Sequence, residues 1–362
     1  MTASHTPPAS APAPAPAIAW SDPQRQAAFD HWLTRVAPAQ QLLPASLRLA
    51  SADASFRRYF RIDAAQGSRI IMDAPPDKEN CRPFVQVARL MADAGLHAPQ
   101  VLDWDEAQGF MLLSDLGGQT LMQVINPEQP QANLGLYLQA VDTLVRWQQA
   151  SRPGVLPPYD AALLRRELEL FPEWYLTRHR GITIDAPMRQ TLDTTFETLI
   201  EANLAWPSVF VHRDFMPRNL MAPTAAGMGV LDFQDAVYGP ITYDIASLMR
   251  DAFLSWDEDF VLDVTIRYWQ QARAAGLPVG EDFGEFYRGV EWMGLQRHLK
   301  VAGIFARLTL RDGKPQYLAD TPRFIGYIRA TAGRYRELKP LLRLIDQVEG
   351  ISEASGYAFG RV

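Results

Sequence analysis

The chain has 362 residues, 48% of them hydrophobic and 21% charged, which is enough for two lobes with sizeable cores. A formal net charge of −6 argues against a nucleic-acid partner, and a lone cysteine, Cys81, excludes an intrachain disulfide and fits a reducing cytoplasm. No apolar run is long enough to span a bilayer, so a cytoplasmic chain without a membrane partner is expected.

Residues 1–18 are rich in Ala and Pro and read as a disordered tail. A helix is expected over 22–37, capped by Ser21 or Asp22, with Phe29, Trp32, Leu33 and Val36 as its apolar stripe. Strands follow at 47–49, 59–62 and 68–73, the first two around a loop of small residues and arginines. In that loop Ser51, Ser55, Arg57 and Arg58 are candidates for touching phosphates; an exposed polar hairpin tip is the other reading. A helix over 82–94 ends at Gly95, and strands at 99–103 and 109–113 complete this half. The segment Ser114-Asp115-Leu116-Gly117-Gly118 breaks the last strand.

Beyond Thr120 the pattern is helical, with helices expected over 133–150, 160–179, 187–204, 242–254, 258–275, 282–310 and 318–335. One interruption carries chemistry. A short apolar strand, 208–211, leads into His212-Arg213-Asp214-Phe215-Met216-Pro217-Arg218-Asn219. A hairpin follows: a strand over 219–222, a turn at 224–227 and a returning strand over 228–233 that contains Asp232. The eight residues fit the kinase catalytic-loop pattern H-R-D-x-x-x-x-N, with a metal-type Asp downstream. Phosphoryl transfer needs a carboxylate beside the attacking hydroxyl, and Asp214 is the candidate base. It also needs a hard cation on the phosphates, and Mg²⁺ takes one or two oxygen ligands from the protein. Asn219 and Asp232 are the candidate ligands, and His212 the brace of the loop.

These residues, with Tyr243-Asp244-Ile245-Ala246 downstream, resemble the aminoglycoside phosphotransferase and choline kinase group. The resemblance implies an α+β, bilobal protein-kinase-like fold: a small β-rich lobe over 19–116 and a larger, mostly helical catalytic and substrate lobe over 117–362. It implies ATP and Mg²⁺, nucleotide contact at Ser114, Asp115 and Leu116, and a loop-holding role for Asp244. A closer resemblance is to the bacterial anomeric kinases of cell-wall amino sugars. It rests on Asp53-Ala54-Ser55-Phe56-Arg57-Arg58-Tyr59, Leu113-Ser114-Asp115-Leu116-Gly117, Leu231-Asp232-Phe233-Gln234-Asp235-Ala236 and Gly239-Pro240-Ile241-Thr242-Tyr243-Asp244. It implies phosphorylation at C1 of N-acetylmuramate or N-acetylglucosamine in peptidoglycan recycling. A kinase of another small alcohol and a non-catalytic nucleotide-binding protein are the competing readings.

The chain departs from the group's pattern at one place. The strand Ile70-Ile71-Met72-Asp73 lacks the usual Lys, and Phe84 stands about where its Glu partner belongs. Arg57, Arg58 and Arg61 are the candidates to replace that Lys, since arginine grips phosphate bidentately. For the sugar, Gln234 and Asp235 beside the metal Asp are the nearest candidates. Trp174 offers a ring face and Arg178 a partner for an acid; a basic helix end on the surface is the plainer reading of the latter pair.

Overall fold

The computed structural model describes residues 18–52 and 56–351, so residues 1–17 of the expected tail, and Ser55, lie outside the described residues. The chain divides into two compact units, one holding residues up to Arg89 and Pro99–Leu116, the other Leu90–Ala98 and everything from Gly117.

In the first unit, α1 (Pro23–Gln40) starts at Asp22, whose carboxylate accepts from the Gln24 N–H at 2.8 Å, with Pro23 in the first turn. Strands β1 (Arg48–Ala52), β2 (Arg58–Asp63) and β3 (Ser68–Asp73) precede α2 (Arg82–Asp93), and β4 (Val101–Asp105) and β5 (Phe110–Ser114) follow it. The five strands form one antiparallel sheet in the order β1-β2-β3-β5-β4. Strand alternation sorts its side chains. Phe60, Ile62, Ile71, Phe110 and Leu112 face α1 and pack on Phe29, Trp32, Leu33 and Val36. Asp73 lies on the same face, fully buried, and binds Arg25 of α1 and Arg58 of β2 through Nε–H donors at 3.0 Å each.

The second unit is mostly helical. Its elements are α3 (Leu121–Val124), α4 (Leu134–Gln149), α5 (Ala161–Leu168), a π-helical segment (Phe171–His179) and α6 (Ala186–Leu204). Next come β6 (Ser208–Val211), β7 (Leu220–Thr224), β8 (Gly227–Val230) and β9 (Val237–Pro240). The unit closes with α7 (Thr242–Met249), α8 (Glu258–Ala274), α9 (Phe283–Leu310), α10 (Thr321–Arg334) and α11 (Lys339–Glu349). Helix α9 is buried on nearly every side, so the polar groups it carries must find partners inside the protein.

The structure corrects four expectations. The helix expected over 160–179 breaks after Leu168 and resumes as the π-helical segment, where Pro172 withholds a backbone donor. The helix expected over 242–254 stops at Met249, and the chain then turns through Asp251, whose Oδ1 accepts from the Phe253 N–H at 3.1 Å. The returning strand ends at Val230, because Asp232 is in the left-handed backbone region (φ 61°). No strand is expected between Asp232 and α7, but Val237–Pro240 form β9, which pairs antiparallel with β6.

Candidate active site

The catalytic loop hangs between β6 and β7. Asp244 on α7, fully buried, secures its start: one carboxylate oxygen accepts from the His212 N–H at 2.7 Å and the other from the Arg213 N–H at 3.0 Å. Burial pushes the Asp244 carboxyl up to about 6, against the pull of His212 and those two backbone donors. His212 is buried and neutral-leaning for the same reason. Its Nδ1 accepts from the Asp214 N–H at 3.2 Å, so its Nε2 is the protonated nitrogen and donates to the Leu231 carbonyl at 2.8 Å. The imidazole thus ties the loop to the segment just past β8 that carries Asp232, which is work for a brace.

Asn219 closes the loop. Its Nδ2 donates to the Asp214 carbonyl at 2.9 Å and stands 3.5 Å from Asp232 Oδ2. Asn219 and Asp232 thus face one another, and the amide Oδ1 of the first with the carboxylate of the second makes a hard-oxygen donor set that fits Mg²⁺. Gln234 donates to Asp232 Oδ1 at 2.7 Å, and the Asp235 carbonyl accepts from Arg213 Nη1 at 3.4 Å.

The Asp214 side chain keeps 43% of its surface exposed. The packing at its base opposes ionisation, but Lys300, Arg297 and Arg213 outweigh it and hold the carboxyl below its usual range. Arg297 and Lys300 lie one helical turn apart on α9. Arg297 Nη1 donates to the Arg213 carbonyl at 2.5 Å and its Nη2 lies 3.9 Å from Asp214 Oδ1. Lys300 Nζ lies 3.1 Å from Glu167 of α5 and donates to the Tyr243 hydroxyl at 3.3 Å. The catalytic-loop motif does not point to these two cations. The stretch that holds them, Met293 to Ala302, mixes Gln296, Arg297, His298 and Lys300 with apolar residues, so no local pattern marks them.

In the first unit the three candidate arginines part company. Arg58 points to the α1 face of the sheet, held by Asp73 and stacked over Trp20 at 4.0 Å. Arg61, on the other face, binds Asp115 through Nε at 2.6 Å, and Ser68 donates to the same carboxylate. Arg57 pairs with Glu79, just ahead of α2, through Nε at 3.2 Å and Nη2 at 3.0 Å. Ser114 accepts from the Gln100 N–H at 2.9 Å through its hydroxyl, and Leu116 is buried. In the second unit Arg178 lies 4.0 Å over the Trp174 ring and 3.3 Å from Glu173, on the π-helical segment that packs along α9.

Comparison with known proteins gives one answer. Residues 46–279 match the phosphotransferase enzyme family (APH). A protein of Neisseria meningitidis named N-acetylmuramate/N-acetylglucosamine kinase is 50% identical over 93% of this chain and 100% of its own length. Proteins of the same name from Pseudomonas putida and Caulobacter vibrioides are 52% and 31% identical, over 85% and 76% of this chain and 90% and 85% of their own lengths. Among solved structures, a choline kinase of Streptococcus pneumoniae superposes with a TM-score of 0.60 at 10% identity, covering 84% of this chain and 99% of its own. An ethanolamine kinase of Plasmodium vivax gives 0.59 at 11% identity, covering 89% and 90%. These structures speak to the fold, which is the protein-kinase-like one.

Proposed function

Because the chain belongs to the phosphotransferase enzyme family, we propose that it transfers the γ-phosphoryl group of ATP to the C1 hydroxyl of N-acetylmuramate and N-acetylglucosamine, feeding peptidoglycan recycling. The observation that carries the reading is the loop itself: a half-exposed carboxylate at Asp214, held ionised, beside the paired oxygens of Asn219 and Asp232. The printed names of the relatives support the sugar.

In this reading the acceptor hydroxyl gives its proton to Asp214 as its oxygen bonds the γ-phosphorus and the bond to the departing ADP oxygen breaks. Mg²⁺, when held by Asn219 Oδ1 and Asp232, supplies positive charge to the phosphate oxygens. In place of the absent third-strand Lys we assign the phosphate grip to Arg57. Glu79 holds it from just ahead of α2, the helix where the group's Glu partner belongs. Arg58 is committed to the opposite face of the sheet. Ser114, Asp115 and Leu116 are the nucleotide-facing segment, and Gln234 and Asp235 the sugar-facing one. Arg178 over Trp174 is a candidate for the lactyl carboxylate, because its exposed pair with Glu173 is worth little and is easily exchanged.

The test is ADP release with Mg-ATP against both amino sugars, an aminoglycoside and choline, with NMR of the product. Phosphate on C1 is expected; turnover of another alcohol alone would discard the sugar. Asp214→Asn is expected to keep ATP affinity while turnover falls by at least about 10²-fold.

A further inference from the structure

Arg213 is in the left-handed region (φ 78°), a conformation that a residue with a long side chain adopts only when its surroundings impose it. Three groups impose it here. Asp244 takes its N–H, Arg297 of α9 binds its carbonyl, and Glu167 of α5 takes its guanidinium Nη2 at 2.5 Å. Glu167 is buried and saturated: Lys300 lies 3.1 Å from Oε1, while Gln296 at 3.2 Å and the Tyr159 hydroxyl donate to Oε2. Arg297 is equally confined, its guanidinium 4.8 Å from the centre of the Tyr243 ring and its side chain 5% exposed. The residue so gripped immediately precedes Asp214. Its backbone angles decide where the Asp214 side chain points.

We propose that Glu167 and Arg297 are positioning residues, which clamp Arg213 from its side chain and from its carbonyl and thereby aim the Asp214 carboxylate at the acceptor hydroxyl. This rests on Asp214 being the base. Asp244 does the part of the task that the sequence motif records. Glu167 and Arg297 come from helices distant in sequence and do the rest. Misplacing a reacting group by about 1 Å costs on the order of 10²-fold in rate, so loosening the clamp acts on kcat.

The experiment is a set of double-mutant cycles with Asp214→Asn, reading kcat, KM for ATP and for the sugar, and heat stability. Glu167→Gln and Arg297→Met are each expected to lower kcat by about 10²-fold with the KM for ATP within about twofold of wild type. In the Asp214→Asn background the same changes are expected to alter the residual rate by less than about twofold, since no carboxylate remains to be aimed. Arg297→Lys, which keeps the charge in place, is expected to recover about tenfold of the Arg297→Met loss; it also serves as the second probe if Glu167→Gln does not fold. Losses that multiply in the Asp214→Asn background would overturn the clamp and leave these residues merely structural. Wild-type kcat in Glu167→Gln and Arg297→Met beside a crippled Asp214→Asn would overturn the clamp alone. Full turnover in Asp214→Asn would overturn the base assignment, and the clamp with it.

Discussion

Glu167 shows what a single buried carboxylate does here. Burial pushes its carboxyl up, but Lys300, Arg213 and the Tyr159 hydroxyl outweigh that and bring it down to about 2 from an ordinary 4.5. A carboxyl depressed by folding lends stability that is complete above its unfolded value and is lost as pH falls toward its folded one. The gap corresponds to a stabilisation on the order of 3 kcal/mol at neutral pH. Glu167→Gln is therefore expected to be less stable than wild type by about that amount at pH 7 in urea unfolding, with the difference narrowing steadily from pH 5 to pH 3. A difference independent of pH would show that Glu167 does not carry its charge as described. Asp214, Asn219, Asp232 and Asp244 were legible in the sequence because the motif spaces them along one loop and the elements next to it. Glu167 and Arg297 were not, because they meet Arg213 from 46 and 84 positions away, and no local pattern records such a meeting.

The elements were legible where one period rules. The stripe Phe29, Trp32, Leu33, Val36 gave α1, the alternation of Phe60 and Ile62 gave β2, and the short apolar run Ile70-Ile71-Met72 gave β3. Legibility failed where tertiary contact overrides the period. The π-helical segment exists in its place because α9 receives it closely: a methyl group on Gly303 would lie 2.3 Å from the Leu170 carbonyl oxygen, an atom with no freedom to move aside. Gly303→Ala is expected to cost about 1–3 kcal/mol in urea unfolding. Gly326, exposed on α10 with open space around its Cα, is the counterpart. Gly326→Ala is expected to add about 0.5–1 kcal/mol by removing freedom from the unfolded chain. Equal effects at the two glycines would refute the close approach. Strand β9 was missed for another reason. Its four residues include Gly239 and Pro240, poor strand formers, and its identity comes only from pairing with β6.

For the molecule as a whole, Mg-ATP is expected to stabilise by mass action, by about 2.7 kcal/mol at a hundredfold excess over its dissociation constant. That corresponds to a rise of at least about 3 °C in melting temperature. The part that depends on Mg²⁺ is expected to vanish in Asp232→Asn; an undiminished metal-dependent rise in that variant would remove Asp232 from the metal site. Another whole-molecule property is fixed by the order in which the chain is made. The apolar face of α1 is complete by Val36, yet it packs on strand residues of which the last made is Leu112 of β5, and Asp73 fastens it to the sheet through Arg25. At about 5–20 residues per second, a ribosome needs roughly 4–15 s to span that interval. For those seconds Phe29, Trp32, Leu33 and Val36 lack the sheet they bury against. Helix α1, made before its sheet, is thus among the last parts of its unit able to settle, and the nascent chain offers a chaperone its aromatic face throughout the wait.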